Sequence, residues 1–193
     1  MTDTDTDTDT RVQRADAARN RDVLLAAATR AFASAETEPS MRAIAREAGV
    51  GIATLYRHFP TRESLVDAIY HDQVQRLTDG ARWLLQGLPP AKAMRQWMDL
   101  FGEWLATKHG MLDTLAAMLE SGAIAHAQSR GELLDAITTI LDAGRAAGDI
   151  RGDVSAEDIA ASLTGIFTVV GKPANRAQAD RLLNLLMDGL RPT

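Results

Sequence analysis

Residues 40–70 read SMRAIAREAGVGIATLYRHFPTRESLVDAIY, and this stretch decides the fold. Small and apolar residues at helical spacing predict a short helix after Ser40, a residue type that favours the start of a helix. Gly49 stands where a left-handed residue would end that helix. A second short helix is predicted by residues that recur at i, i+3, i+4 and i+7, namely Ile52, Leu55, Tyr56 and Phe59.

The residues that follow predict where the second helix stops and a third begins. Pro60 ends the second helix, and Thr61 is suited to cap the next one. Glu63 falls in the first turn of this third helix, where a carboxylate is favoured. Two helices joined by a glycine-containing turn form the helix-turn-helix arrangement, whose second helix enters the major groove of DNA.

A family resemblance is visible in residues 44–65, IAREAGVGIATLYRHFPTRESL, which are similar to the DNA-binding segment of the TetR family of bacterial repressors. The matching positions are Ile44-Ala45, Ala48-Gly49-Val50, Thr54-Leu55-Tyr56, His58-Phe59 and Leu65. With the preceding helix, the resemblance extends over residues 14–70. The chain departs from the family pattern at Arg62, where the family usually has Lys, and arginine replaces a point charge with a planar fork of donors.

Composition limits the class of protein. The 193 residues are 46% hydrophobic, which suits one compact domain or two small ones. The absence of Cys excludes disulfides and thiolate metal sites and agrees with a reducing cytoplasm. No apolar run approaches the length of a membrane span, and the N-terminus lacks the pattern of a signal peptide.

The formal net charge of −5 argues at first against nucleic acid, but the charges are unevenly distributed. Residues 1–10 carry −4, residues 11–80 carry +1 and residues 81–193 carry −2. The segment that holds the helix-turn-helix is therefore the only positive one. We expect a local basic face built from a few arginines, not a basic domain.

The pattern along the chain predicts an all-α protein in three parts. Residues 1–13 begin with the repeat MTDTDTDTDT and are expected to form a disordered acidic tail. Residues 14–62 are expected to form the DNA-binding domain, with a first helix over 15–34. Arg11 and Arg14 precede this helix and are either a DNA-contacting arm or solvated charge. Residues 63–193 are expected to form a helical domain for ligand binding and dimerisation.

Apolar periodicity places further helices in that last part. They are expected at about 62–86, 91–108, 111–120, 126–147, 156–170 and 175–190. Pro90 suits the first turn of one helix, Pro173 should end another, and Ser155 with Asp158 forms a near capping box. The helix over 156–170 is apolar enough to need covering on more than one side. The resemblance implies a homodimer through the last two helices, which we place at about 156–190.

Nine residues are candidates for contact with double-stranded DNA: Arg42, Gly51, Ile52, Ala53, Thr54, Tyr56, Arg57, His58 and Arg62. Small side chains at Gly51 and Ala53 would let the helix lie close to the groove floor. Thr54 suits a phosphate or a thymine methyl group. The resemblance implies phosphate contacts for Tyr56 and His58, and a base or phosphate contact for Arg42.

Arg62 stands at a helix N-terminus, where a cation and free backbone N–H groups suit phosphate. The alternatives are a core aromatic for Tyr56, a surface residue for His58, and solvated charge for Arg42 and Arg57. Whichever of these alternatives holds, Leu55 and Phe59 are expected in the core.

A small-molecule site is the second expectation. The candidate lining residues are aromatic or Met: Trp83, Trp97, Met98, Phe101, Trp104, Met111 and Met118. Apolar pockets with few polar groups are the usual small-molecule site, and the family resemblance implies sensing in this region. The alternative is ordinary core packing. The ligand would be a small apolar or amphipathic molecule, and no cofactor or metal is expected.

The resulting function is a sequence-specific DNA-binding transcriptional regulator, a repressor that a ligand releases from a palindromic operator. A regulator controlled by a protein partner, or an activator, is the alternative. An enzyme is the alternative from another functional class. Against it, the chain has no Cys nucleophile, no Gly-rich phosphate loop and no HExxH pair, and its four His are scattered along the sequence.

Overall fold

The computed structural model describes residues 5–34, 37–122, 126–170 and 175–192, and the side chains of 5–19 and 126–128 lie outside that description. Within these ranges the chain forms nine helices and no strand. They are α1 (Asp5–Ser34), α2 (Met41–Glu47), α3 (Ile52–His58), α4 (Arg62–Gly87), α5 (Pro90–His109), α6 (Leu112–Glu120), α7 (His126–Ala147), α8 (Ala156–Val170) and α9 (Arg176–Gly189). The all-α prediction is confirmed.

Helices α1 to α3 form the N-terminal unit around a small core. The Ser40 side chain caps α2 by accepting a hydrogen bond from the Ala43 amide at 3.2 Å. Gly49 has φ +69°, the left-handed conformation that the turn between α2 and α3 requires. Leu55 and Phe59 are 0% and 2% exposed and place the inner face of α3 in the hydrophobic core, where α3 packs on α2. These features agree with the predictions made from the sequence.

Helix α4 joins the N-terminal unit to the rest of the chain. It begins with a capping box in which Thr61 and Ser64 each accept a hydrogen bond from the other's backbone amide. It then runs unbroken to Gly87 and packs against α1, α5, α6 and α7. The predicted domain boundary at residues 62 and 63 therefore falls at the first residues of a continuous helix.

The larger core lies between α4, α5 and α7. Trp97 is fully buried there, and its indole N–H donates to the Leu77 carbonyl at 2.8 Å. Helices α8 and α9 pack on each other and on α5. Ser155 and Asp158 form the predicted reciprocal cap at the start of α8. Among the described residues, no helix combines the length and hydrophobicity needed to cross a membrane.

Two expectations about these helices need correction. Helix α1 begins at Asp5, so residues 5–13 of the predicted disordered tail are helical. The sequence supplies acidic residue types at the start of this helix, and acidic residues there favour helix formation because of the helix dipole. Residues 1–4 lie outside the described residues, as does the expected break at Pro173. Trp83 is the second correction, because it is 70% exposed and lies beside the buried stripe of Leu77, Ala81 and Leu84.

Candidate functional site

Helix α3 presents one anchored face and one exposed face. Leu55 and Phe59 hold the buried face in the N-terminal core. On the other face Tyr56 is 46% exposed, and Ala53 and Arg57 are exposed beside it. A Tyr that leaves nearly half its surface in solvent does not serve the core, so the core alternative for Tyr56 is not favoured. The exposed face offers a phenol, a guanidinium and a small residue that permits close approach.

Most of the nine candidate residues lie on α2, on α3 or in the turn that joins these two packed helices. Arg42 and Gly51 are also exposed, and Thr54 and His58 are half-buried. Ile52 packs partly against the hydrophobic core, so its side chain serves the fold more than a contact. The side chains of Arg11 and Arg14 lie outside the description. Arg62 behaves differently from the other candidates.

The charge of the segment is locally positive. Residues 40–61 carry three Arg and one Glu, a net charge of +2 with His neutral. One of these arginines, Arg46, was not a candidate from the sequence, although it is exposed and follows Arg42 by one turn on the same helix face. Arg21 of α1 adds a further cation, with its guanidinium carbon 5.3 Å from the centre of the Phe59 ring. The spacing of four residues between Arg42 and Arg46 in the sequence would have identified Arg46 as a second candidate on the same face of α2.

Arg62 faces the interior, which corrects the predicted phosphate contact. Its guanidinium donates to the Glu38 carboxylate at 2.6 and 3.0 Å, to the Pro39 carbonyl at 2.7 Å and to the Thr114 hydroxyl at 3.0 Å. It also lies 5.4 Å from the centre of the buried Phe32 ring. The side chain is 24% exposed and its donors are engaged. Arg62 therefore ties the start of α4 to α6 and to the loop before α2.

Glu38 completes this cluster, which we name the Glu38–Arg62–Thr114 cluster. One carboxylate oxygen accepts from the Thr114 backbone amide at 2.9 Å, and the other accepts from the Thr114 hydroxyl at 2.7 Å. Burial, the largest single effect, raises the pKa of Glu38, but the hydrogen bonds from Thr114 and Arg62 and the Arg62 charge outweigh it. The pKa of Glu38 is therefore lowered. The cluster favours the ionised carboxylate and joins the two halves of the chain.

A separate cavity of about 480 Å³ opens between α1, α4, α5, α8 and α9. Part of its wall is apolar, formed by Leu77, Leu100, Phe167, Val170 and Leu183. Polar and charged side chains make up much of the rest: Thr29, Arg30, Gln73, Arg76, Asp99, Glu103, Thr107, Arg176 and Asp180. The cavity is bounded by the N-terminal unit on one side and by the last helices on the other.

The residues proposed from the sequence as a ligand pocket do not line this cavity. Trp97 and Met98 are fully buried, and four others are at most 6% exposed, namely Phe101, Trp104, Met111 and Met118. These six fill the bundle core, and Trp83 is exposed on α4. Large aromatic and Met side chains pack densely against one another, so they close the space between helices. The cavity lies instead where aliphatic, small and charged side chains of five helices meet.

Family models match most of the chain. A model described as bacterial regulatory proteins, tetR family, matches residues 24–69, which hold α2, α3 and the start of α4. A model of the C-terminal domain of SbtR-like transcriptional regulators matches residues 89–192, more than half of the chain. A comparison with curated proteins gave no match. The matching models describe regulators, and neither describes an enzyme.

Solved structures agree with the family models. The chain is 47% identical to the TetR transcriptional regulator SCO0520 from Streptomyces coelicolor, over 90% of this chain and 99% of that one, with a TM-score of 0.80. It is 35% identical to a TetR transcription regulatory protein from Mycobacterium vanbaalenii, over 93% and 99%, with a TM-score of 0.73. A transcriptional regulator from Cytophaga hutchinsonii, 16% identical over 89% and 98% with a TM-score of 0.60, shares the fold alone.

Proposed function

Because this chain belongs to the TetR family of bacterial regulatory proteins, we propose that it is a homodimeric repressor that binds a palindromic operator and leaves it when a small molecule binds. The family membership makes it a DNA-binding transcriptional regulator. Repression, the operator and ligand control go beyond that membership and form the proposal. We place its action in the cytoplasm, where bacterial DNA is found.

The observation that carries the proposal is the exposed face of α3. Its Tyr56 and Arg57 project from a helix that Leu55 and Phe59 hold rigidly, so the face is available to a groove without rearrangement of the core. The segment's positive charge favours the phosphate backbone, and contacts to base edges add sequence choice. We assign phosphate contacts to Tyr56, Arg57 and His58 of α3 and to Arg42 of α2. Arg62 is left out of the interface.

Dimerisation is supported by the outer faces of α8 and α9. Val169 on α8 is 75% exposed and Leu185 on α9 is 68% exposed, which is a large apolar exposure for two helices that pack together. A second copy would cover both faces and present two α3 helices to the DNA. The operator should then be a palindrome, with half-sites separated by about 34–36 Å or a multiple of it.

The test of DNA binding is selection from the genome. Purified protein is incubated with sheared genomic DNA of its source organism at low salt, and the retained fragments are sequenced. We expect one palindromic sequence to be enriched. Arg57→Ala should reduce the enrichment, whereas Arg82→Ala, which removes an exposed arginine far along α4, should not. A wild-type protein that enriches no sequence would contradict the proposal.

Repression is tested separately with a reporter. The selected operator is placed between a promoter and a reporter gene, and the chain is expressed in the same cell. We expect reporter output to fall, and to fall less with Arg57→Ala. A rise in output would show an activator. Output that changes only when a second protein of the source organism is present would favour control by a protein partner.

A further inference from the structure

We propose that the N-terminal end of α1 weakens the binding of this protein to any DNA duplex, whatever the sequence of that duplex. The segment responsible is residues 5–10, DTDTDT, which we name the acidic end. This inference rests on the proposed function, because it concerns the same DNA interface and adds a part of the chain that opposes it. Two features carry it, namely the path of α1 and the order of the charges along that helix.

Helix α1 runs from the helical bundle towards the end of α3. Near the C-terminus of α1, the Phe32 carbonyl lies so close to α5 that a Cβ added to Gly110 would meet it. Further towards the N-terminus, the guanidinium carbon of Arg21 lies 5.3 Å from the centre of the Phe59 ring, at the end of α3. The residues that precede Arg21 therefore continue away from the bundle and past α3.

The helix leaves the folded unit at Val23. Leu24 and Leu25 are buried, whereas residues 20–23 are all exposed, Val23 at 50%. Four successive residues sweep through more than one helical turn of 3.6 residues, so at this level every face of α1 is open to solvent within the described part of the chain. Residues 5–19 extend the helix by about 22 Å beyond this point, at 1.5 Å per residue.

The charges along this extension are segregated. The acidic end has three Asp and no base, whereas residues 11–21 have four Arg and one Asp. The arginine positions are the ones nearer to α3, where cations favour a phosphate backbone. The aspartate positions of the acidic end are the ones farthest along the helix. The extension therefore has a part that attracts DNA next to the fold and a part that repels DNA beyond it.

A duplex that docks on the exposed face of α3 meets this extension. The bundle occupies the other side of the N-terminal unit, so the duplex lies on the side towards which α1 extends. Negative charge near the phosphates repels them over a Debye length of about 8 Å at physiological salt and about 30 Å at 0.01 M. In a dimer the extension is present twice, once for each half-site.

The penalty depends on phosphate charge and not on base identity. The acidic end should therefore lower the affinity for operator and for non-operator DNA by the same factor. Non-specific binding comes almost wholly from phosphate contacts, so it has no base contacts that could compensate for the penalty. The consequence is that less of the protein is held by non-operator DNA.

The test measures the affinity of the full-length protein for two duplexes of equal length, the selected operator and a scrambled sequence, by fluorescence anisotropy. A triple variant, Asp5→Asn with Asp7→Asn and Asp9→Asn, removes the charge of the acidic end. We expect it to bind both duplexes about tenfold more tightly than the wild-type protein at about 50 mM salt. The slope of log affinity against log salt should become steeper by at least about 0.9, the value for one phosphate contact.

Two matched variants separate local charge from net charge and from helix formation. Glutamate at the same three positions keeps the charge and should keep the wild-type affinity for both duplexes. The second variant combines Glu120→Gln, Asp135→Asn and Asp142→Asn, which change the net charge equally at exposed positions of α6 and α7. It should change both affinities by less than about twofold, because these positions lie outside the DNA-binding unit.

The outcomes distinguish the role of the acidic end from the proposed function. Unchanged or weaker binding by the triple Asp→Asn variant would overturn the inference, as would an equal gain in the α6–α7 variant. A gain for the operator alone would overturn its independence of sequence. Affinity for the scrambled duplex is measurable without an operator, so a protein that enriches no palindrome would refute the proposed function and leave this comparison intact.

Discussion

At the scale of single residues, a substitution of Arg62 distinguishes a structural role of its guanidinium from a contact with DNA. We expect Arg62→Gln to lower the free energy of unfolding by about 2 kcal/mol, since hydrogen bonds to charged groups contribute roughly 1.5–3 kcal/mol each and Glu38 would lose its partner. The slope of log operator affinity against log salt should not change, because no phosphate contact is removed. Chemical denaturation and binding at several salt concentrations provide both measurements.

Arg57→Gln is the matched control for this comparison. Arg57 is exposed on α3, so its loss should change the free energy of unfolding by less than about 0.5 kcal/mol. Its salt slope should become shallower by about 0.9, the value for one phosphate contact. If Arg62→Gln gave the shallower slope at unchanged stability, the guanidinium would turn to DNA in the complex and the inward position would not describe the bound state.

Glu38 makes the same cluster sensitive to acid. Its pKa in the folded protein is lowered from the ordinary value of 4.5, so the folded state binds fewer protons than the unfolded state in the acidic range. The stability contributed by Glu38 is therefore present above pH 4.5 and lost as the pH falls through the lowered pKa. Tm should differ between the wild-type protein and Glu38→Gln at pH 7, and the difference should shrink below pH 4.5.

The matched carboxyl for the acid experiment is Glu120, which is exposed at the end of α6. Glu120→Gln should leave the Tm profile close to that of the wild-type protein. A difference between Glu38→Gln and the wild-type protein that persists unchanged to pH 3 would show that charge at Glu38 does not stabilise the fold.

Residue roles were predictable from the sequence where the deciding neighbours are close in the chain. The caps at Ser40 and Thr61 depend on an amide three residues away, and both were identified. The direction of Arg62 depends on Glu38 and Thr114, which are separated from it by 24 and 52 positions. No local pattern distinguishes a cation that faces phosphate from one that faces a distant carboxylate.

At the scale of helices, the contact between α1 and α5 depends on Gly110. An added Cβ there would lie 1.9 Å from the Phe32 carbonyl oxygen, so α1 and the end of α5 would have to move apart. We expect Gly110→Ala to lower the free energy of unfolding by about 1–3 kcal/mol, as overpacking usually does. Thermal and denaturant unfolding would measure the change.

Gly131 in α7 provides a control of opposite sign. No atom of the described part of the chain lies within 4 Å of a Cβ added there, and the residue is inside a helix. Gly131→Ala should raise the stability by roughly 0.5–1 kcal/mol, because alanine loses less backbone freedom on folding. Equal effects of the two substitutions would refute the close approach of Phe32 to Gly110.

Helix positions were more predictable than helix environments. Apolar periodicity located α4 to α9 within about one residue at most ends, because each helix has a buried stripe and a clear stop signal. The start of α1 was missed, since a polar Thr-Asp repeat has no stripe to detect. Trp83 was assigned to the interior by residue type, although its exposure depends on which other helices cover α4.

At the scale of the whole molecule, the cavity could not be predicted from one segment. It is formed by residues of five helices, and a single sequence does not reveal which faces of those helices meet. The aromatic and Met residues were predicted to line a pocket because they are large and apolar, and the same properties make six of the seven fill the core. The helix-turn-helix is the contrasting case, because its residues are contiguous and fold around one another.

The dimer is the last feature at this scale, and the exposed apolar residues of α8 and α9 make it testable. Burying a Leu side chain contributes about 1.5–3 kcal/mol, and in a two-fold interface each substitution acts twice. We therefore expect Leu185→Asp to raise the dimer dissociation constant by at least about a hundredfold, as measured by analytical ultracentrifugation. Affinity for the palindromic operator should fall as the dimer dissociates, since a monomer holds one half-site.

The matched control is Leu119→Asp, which alters a 41% exposed leucine on α6 and should leave both the dimer dissociation constant and the operator affinity unchanged. If Leu185→Asp remained dimeric while Leu119→Asp dissociated, the interface would lie on α6, and the two α3 helices would be spaced by a different pair of helices.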